Sequence, residues 1–178
     1  MAGILADKAL FYLNPLCPNA LPAPVKAQTD THDHHLLVTV GDFGNGESER
    51  FRQRLAAFES KNRVAVHTCT ADETPWVSYF RFAAAPAFKT WCIGNGLEGV
   101  SVDYALPKGE DAAPPLPESV AALRMRYSHF GCNVVHEDIA FRRGVDAHAS
   151  KMALKHEVEG MGERVNTLQT RKESLSWV

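Results

Sequence analysis

The chain has 178 residues, enough for one compact domain with little room for a second. Hydrophobic residues make up 45% and charged residues 22%, which predicts a globular core and excludes wholesale disorder. Lys and Arg total 19 against 21 Asp and Glu, so the net charge of −2 gives no argument for a nucleic-acid partner.

The first 24 residues predict a short apolar segment followed by a linker. Residues 1–18 suit either a short core helix or an amphipathic stretch on a surface, and they are too short to span a bilayer. Asp7 and Lys8 interrupt their apolar character. Four prolines within residues 14–24 predict an extended linker.

The next half of the chain alternates between strand and helix patterns. Residue periodicity predicts a strand, a helix and a second strand over residues 36–40, 47–61 and 63–68. Thr70 and Glu73 have the spacing of a capping box, which places a helix start there. The helix is expected over residues 76–85 and should end at Pro86.

The C-terminal half shows the same mixture. It predicts a strand, a proline-rich connection, a short helix, an alternating strand and a last helix over residues 97–106, 107–117, 118–125, 126–139 and 146–161. Asp146 has the position of an N-cap for the last helix. The long loops and half-polar strands favour an α+β fold, an antiparallel sheet with helices packed on one face.

Common nucleotide-binding motifs are missing from the sequence. It contains no GxGxxG, Walker or GxSxG pattern and no internal repeat. The four cysteines, Cys17, Cys69, Cys92 and Cys132, form no CxxC pair, so we interpret them as free or buried thiols in a reducing compartment; the alternative is a disulfide or a zinc site.

Two histidines, His129 and His136, are the most informative residues of the segment YSHFGCNVVHED. On a straight strand their odd spacing would place them on opposite faces, roughly 23 Å apart. They would share one metal ion or substrate only if the chain bends, which Gly131 and Asn133 permit. The alternative is two separately placed strand histidines, one solvated and one hydrogen-bonded.

Five stretches, in order, resemble the quinone-dependent D-lactate dehydrogenases. HFGCNVVHED followed by FRRGVDAHASK resembles their H-F-x-C-x-V-x-H-x-D segment with its basic pair and Gly-Val-Asp-x-His-Ala. The stretches LP with HHLL, CT with RFAAA, and DYAL resemble other parts of that family, from about Asp7 to Arg164. Several separated matches in one order are more specific than any single match.

The resemblance implies a flavoprotein of the vanillyl-alcohol-oxidase type, which oxidises D-lactate to pyruvate and passes electrons to quinone. It implies that residues 1–31 end a membrane-associated insert and linker, that residues 32–164 form the C-terminal part of the substrate-covering cap domain, and that residues 165–178 are an unaligned tail. FAD would be bound mainly by a domain absent from this chain, and the isolated chain is expected to be inactive. The enzyme would lie peripherally on the cytoplasmic side of the cell membrane.

The resemblance also implies the site residues. His129 and His136 would hold a divalent metal ion or the substrate, and Arg81 would bind the substrate carboxylate. The alternative for Arg81 is an ordinary surface or helix-packing arginine. Ser101 stands where relatives place a lysine. The expected Glu-His segment has no counterpart near the C-terminus, and His156 with Glu157 has the right residue types in reverse order.

The remaining predictions concern the membrane, the substrate and a histidine cluster. The stretch PVKAQTDTHD keeps only Lys26 where the family is basic, which predicts weak, peripheral attachment. The THDHH cluster is interpreted as residues preceding a strand and not as a metal site. Two alternatives stay open: a dehydrogenase of another D-2-hydroxy acid such as 2-hydroxyglutarate, or a non-catalytic cap-domain fragment.

Overall fold

The computed structural model describes residues 2–106, 114–128 and 134–160. The chain divides into two compact units, Pro18–Arg81 and the combination of Met1–Cys17 with Phe82–Val178. In chain order the described elements are α1 Ala2–Leu13, a 3-10 helix Asn14–Leu16, α2 Ala23–Thr29, α3 Glu47–Glu59, α4 Thr74–Asn95, β1 Gly99–Ala105, β2 Ala121–Ser128, β3 Val134–Phe141 and α5 Ala147–Gly160.

The three strands belong to the second of these units and form one antiparallel sheet in the order β1-β3-β2. His136 of the central strand β3 lies directly opposite Asp103 of β1 on one side and Tyr127 of β2 on the other. The antiparallel α+β fold predicted from the sequence is therefore confirmed, as is the strand expected over residues 97–106. The predicted last helix is also confirmed, and Asp146 caps it: its carboxylate accepts a hydrogen bond from the Ala149 N–H at 2.9 Å.

Both faces of the sheet carry a hydrophobic cluster, because β3 is apolar on both sides of its pleat. Ile139 and Ala140 are neighbours on β3, point to opposite faces and are fully buried. The Ile139 face packs against Leu154 and Val158 of α5, and the Ala140 face packs against Phe88 and Cys92 of α4. The expectation that helices pack on one face only was wrong in that detail.

Gly99 marks the closest approach of α4 to the sheet. A Cβ atom built on Gly99 would lie 2.7 Å from the Cys92 Sγ and 2.9 Å from the ring of Phe88. Both neighbours are buried, so neither side chain can rotate away into solvent. Glycine is therefore required here by the packing distance.

We expect Gly99→Ala to lower the free energy of unfolding by about 1–3 kcal/mol, the usual cost of overpacking a core. Urea denaturation of the full chain measures this loss. Gly3→Ala is the matched control, since a Cβ on Gly3 meets nothing within 4 Å, and it should change stability little. Equal effects of the two substitutions would contradict the packing argument.

The unit Pro18–Arg81 is built from α2, α3, the start of α4 and irregular segments. The predicted helix over 47–61 is confirmed as α3. The residue just before this helix, Gly46, has a left-handed backbone conformation with φ 73°. The capping box is also confirmed: the Thr70 N–H donates to Glu73 at 2.8 Å, and the Glu73 N–H donates to the Thr70 hydroxyl at 3.2 Å. No described side chain of this unit is fully buried.

Two strand predictions in this unit are wrong. Residues 36–40 and 63–68 have irregular structure, although both segments are rich in β-branched or alternating residues. A strand needs a hydrogen-bonding neighbour, and strand propensity measures mainly the packing that such a neighbour provides. Among the described residues these segments pair with no other strand, and Leu36, Leu37 and Val38 are exposed.

Two helix predictions fail for different reasons. The helix expected over 118–125 is replaced by a turn followed by β2, because pairing with β3 outweighs the helix propensity of Ala and Leu. The helix expected to stop at Pro86 continues to Asn95 as α4. Proline removes one hydrogen bond from a helix interior, and the burial of Phe88 and Cys92 beyond it offsets this cost. The 14–24 linker prediction is also partly wrong, since it contains the short 3-10 helix.

Candidate functional site

His136 lies at the centre of a polar row on one face of the sheet. Its Nδ1 atom is 2.7 Å from Oδ1 of Asp103, its cross-strand neighbour on β1. The His136 and Asp103 side chains are 41% and 49% exposed, so a small molecule can reach them. A carboxylate bonded to one ring nitrogen fixes the orientation and the tautomer of an imidazole, which prepares Nε2 to bind a metal ion or accept a proton.

Tyr127 extends this row onto β2, where it stands opposite His136. Because directly opposed residues point to the same face, the carboxylate, the imidazole and the phenol lie side by side across the three strands. Burial, followed by the nearby charge of Asp138, raises the pKa of Tyr127. The phenol therefore stays protonated at neutral pH; its hydroxyl donates to the Met125 sulfur at 3.5 Å, and a hydrogen bond with Asp138 also raises its pKa. We name Asp103, His136 and Tyr127 the polar row.

Asp138 lies one pleat further along the same face. Its Oδ1 accepts a hydrogen bond from the Ser101 hydroxyl at 2.5 Å. Burial raises the pKa of Asp138, and the Ser101 hydrogen bond opposes this change. Burial, assisted by the charge of Asp138, also raises the pKa of Cys92 to about 11, which keeps that thiol protonated. Ser101, placed by resemblance at a lysine position, thus serves here as a donor to Asp138.

The opposite face of the sheet holds a buried ion cluster centred on Glu137. Its side chain is fully buried, and Nε of Arg124 lies 2.5 Å from Oε1. Nε of Arg126 lies 3.4 Å from the same oxygen, and the Tyr104 hydroxyl donates to Oε2 at 3.1 Å. Burial would lower the pKa of Arg124, but the hydrogen bond and charge of Glu137 outweigh it and raise that pKa. This cluster connects all three strands beneath the polar row.

The Tyr104 phenol makes the free energy of unfolding depend on pH in the alkaline range. Burial, followed by the charge of Glu137, raises its pKa from 10.0 to about 12. The folded chain therefore holds this proton at pH values where the unfolded chain has lost it. Stability from this group is complete below pH 10 and is lost as the pH rises towards 12.

We expect Tyr104→Phe to reduce the loss of unfolding free energy between pH 10 and pH 12 by up to about 3 kcal/mol, since one pKa unit corresponds to ~1.36 kcal/mol. Urea denaturation at a series of alkaline pH values measures the slope. Tyr12→Phe is the control, because Tyr12 is exposed on α1. An unchanged slope in Tyr104→Phe would contradict this assignment.

Of the sequence-predicted site residues His129, His136 and Arg81, the structure describes the side chain of His136 alone. His136 lies in the polar row, whereas His129 falls outside the described residues. Arg81 lies on α4, and its side chain is likewise outside the description. The single strand expected over residues 126–139 is wrong, because its described residues belong to two antiparallel strands, β2 and β3. His156 and Glu157 are exposed on α5.

Sequence reasoning missed the residues that surround His136. Asp103 was noted only as part of the DYAL stretch, and Tyr127 only as the start of the histidine segment. The pair Asp103 and His136 is separated by 33 positions along the chain, so only the register of β1 against β3 reveals it. The signal available in the sequence was the alternation of side chains along β3, which places His136 on one face of the strand and Glu137 on the other.

The helix α1, which belongs to the unit that contains the sheet, has an exposed apolar face. Asp7 accepts a hydrogen bond from the Thr90 hydroxyl of α4 at 3.1 Å, and Phe11 packs against Gly94. The opposite side of α1 exposes Leu5, Tyr12 and Leu13, each by more than half. Within the described ranges, no helix is long and apolar enough to cross a membrane.

Comparison with known proteins gives one family. A family profile described as "D-lactate dehydrogenase, membrane binding" matches residues 1–166. The quinone-dependent D-lactate dehydrogenase of Escherichia coli is 30% identical over 152 residues, which cover 82% of this chain and 26% of that protein. The protein of the same name from Corynebacterium glutamicum is 29% identical over 155 residues, 83% of this chain and 27% of its own length.

A third relative agrees with these two. The quinone-dependent D-lactate dehydrogenase of Haemophilus influenzae is 27% identical over 149 residues, covering 80% of this chain and 26% of that protein. This chain thus spans about a quarter of the length of the curated relatives it matches. Since the profile covers nearly the whole chain, the protein belongs to the membrane-binding D-lactate dehydrogenase family.

Proposed function

We propose that this chain supplies the substrate-covering part of a flavin-dependent, quinone-linked D-lactate dehydrogenase that associates peripherally with the cytoplasmic side of the cell membrane. The profile match over residues 1–166 carries the proposal, and the exposed polar row supports it. Residues 32–164 would form the cap over the substrate, and residues 1–31 the end of the membrane-associated insert.

FAD would be held mainly by another part of the enzyme. The described sheet is antiparallel, and none of its strands leads through a glycine-rich turn into a helix N-terminus, the arrangement that binds a dinucleotide in the common folds. The described residues therefore do not fit an FAD phosphate cradle. In such enzymes the flavin supplies the redox chemistry, while the protein orients the hydroxy acid.

Within this division of labour, His136 would contact the reacting hydroxyl or a divalent metal ion that binds it. Asp103 engages Nδ1 and orients the ring, and His136 would accept the hydroxyl proton or ligate the metal. His129 would be the second ligand. Arg81 would bind the substrate carboxylate as a bidentate fork.

A steady-state assay of the flavin-loaded enzyme that carries this chain tests the proposed function. Dye reduction is measured with D-lactate, L-lactate and D-2-hydroxyglutarate. We expect the highest kcat/KM with D-lactate. A higher value with 2-hydroxyglutarate would favour the other D-2-hydroxy-acid branch, and no turnover of any of the three would favour a non-catalytic cap fragment. Flavin retained by the purified chain alone would contradict the assignment of FAD binding to another domain.

Membrane association would rest on apolar contact more than on charge. Lys26 is the one basic residue of α2, the stretch that is basic in the family. Its Nζ atom is paired with the Asp30 carboxylate at 2.6 Å. This pairing weakens its attraction to anionic lipid. The exposed side of α1, with Leu5, Tyr12 and Leu13, offers the apolar surface that an interfacial helix inserts.

We expect the double substitution Leu5→Asp with Leu13→Asp to weaken binding to phosphatidylcholine–phosphatidylglycerol vesicles by at least about tenfold, since each buried leucine contributes on the order of 1–2 kcal/mol. Cosedimentation measures the bound fraction, and raising the ionic strength should change it little. Leu36→Asp, at an exposed leucine of an irregular segment, is the control. Binding that survives the double substitution but disappears in salt would contradict this account.

A further inference from the structure

Three side chains of different ligand type converge just before α4. One ligand atom each from His67, Cys69 and Glu73 lies within 4.8 Å of the other two. Residues 2–106, 114–128 and 134–160 contain no other group of this kind. A tetrahedral metal ion with bonds of about 2.0–2.3 Å separates its ligands by roughly 3.3–3.8 Å. Small side-chain rotations therefore bring these three atoms to bonding positions.

Glu73 is held in place before any ion binds. Its Oε2 accepts the Thr70 N–H at 2.8 Å and lies 3.0 Å from Nε2 of His67. The side chains of His67 and Glu73 are 22% and 18% exposed, which shields the cluster and still leaves a route for an ion.

The unit that contains the cluster has a reason to use a metal ion. No described side chain of Pro18–Arg81 is fully buried, and this unit contributes nothing to the two hydrophobic clusters. Small units without a sufficient core are commonly stabilised by metal ions or disulfides. Cys69 is a free thiol, so a disulfide does not serve here.

We propose that His67, Cys69 and Glu73 form a Zn²⁺ site that fastens the segment before α4 to the start of that helix. A thiolate, an imidazole and a carboxylate are a donor set that suits zinc, and water completes the tetrahedron. On binding, the Cys69 thiol releases one proton to solvent. Nε2 of His67 exchanges its hydrogen bond with Glu73 for the metal, with the ring proton on Nδ1. This site is independent of the proposed dehydrogenase function.

Titration of the full chain with Co²⁺ tests the thiolate ligand directly. Cobalt bound by sulfur gives a thiolate-to-metal charge-transfer absorption that cobalt bound by histidines alone does not give. We expect this band to saturate at one equivalent, to disappear in Cys69→Ser and to persist in the matched control Cys17→Ser. Absence of the band, or its persistence in Cys69→Ser, would overturn the site.

Thermal unfolding with Zn²⁺ supplies a second readout. Zinc is expected to raise the Tm of the unaltered chain and of Cys17→Ser, but not that of Cys69→Ser. His67→Ala should weaken zinc affinity by at least about tenfold. Mutating a residue that only hydrogen-bonds to a metal ligand already lowers affinity by about 10–100-fold, and His67 is proposed as a ligand itself. Circular dichroism without metal checks that each variant is folded. A Tm unaffected by zinc in the unaltered chain would also refute the proposal.

Discussion

Replacing Glu137 by alanine is expected to lower the free energy of unfolding by about 3–5 kcal/mol, the usual result of removing one partner from a buried ion pair. The carboxylate is fully buried and accepts from Arg124 and Tyr104, so its loss leaves the Tyr104 hydroxyl without this acceptor and the Arg124 guanidinium without its counter-charge, although Arg124 still donates to the Pro114 carbonyl. A folded domain is stable by only about 5–15 kcal/mol, so much of the native margin would be lost. Urea denaturation near pH 7 measures the change.

Glu159→Ala is the matched control for this prediction. Glu159 pairs with Lys155 at 3.7 Å on the exposed side of α5, where ion pairs contribute little. The control should change the unfolding free energy by less than about 0.5 kcal/mol. A loss below about 1 kcal/mol in Glu137→Ala would show that the cluster does not support the sheet.

Replacing His136 by alanine is expected to lower kcat/KM for D-lactate by about 10²–10⁴-fold in the flavin-loaded enzyme, the range of general acid–base catalysis. Asp103→Asn should lower it by about 10–100-fold, because the carboxylate acts through the imidazole. Steady-state kinetics with a dye acceptor measure both effects. The double variant should fall no further than His136→Ala, since Asp103 acts only through His136.

His32→Ala is the control for the histidine chemistry, because His32 is exposed just after α2 and its ring hydrogen-bonds with Thr31 and the Gln28 carbonyl. It should leave kcat/KM unchanged. If His136→Ala also retained full activity with unchanged flavin content, the polar row would have no part in turnover.

The elements predicted correctly depend on local sequence signals. α3 follows from its apolar spacing, the start of α4 from the Thr70 and Glu73 capping box, and α5 from its Asp146 cap. β2 was missed because its helix-favouring residues are held extended by hydrogen bonds to β3. No window of sequence contains that information, since the deciding partner lies elsewhere in the chain.

The candidate site divides in the same way. His136 was identified from a motif, whereas Asp103 and Tyr127 join it through strand register across three strands. The Glu137 cluster was missed because a charged residue inside a strand is usually read as solvent-facing. Its burial follows from the two arginines of β2 that meet it across the sheet.

The proposed function assigns to this chain the substrate side of a flavin enzyme that acts on D-lactate. Anaerobic mixing of the flavin-loaded enzyme with D-lactate, followed by the visible absorbance of the flavin, tests it in a single turnover. We predict that D-lactate bleaches the flavin and that His136→Ala slows the bleaching by at least about 100-fold. Flavin that another 2-hydroxy acid bleaches while D-lactate leaves it oxidised would contradict the account.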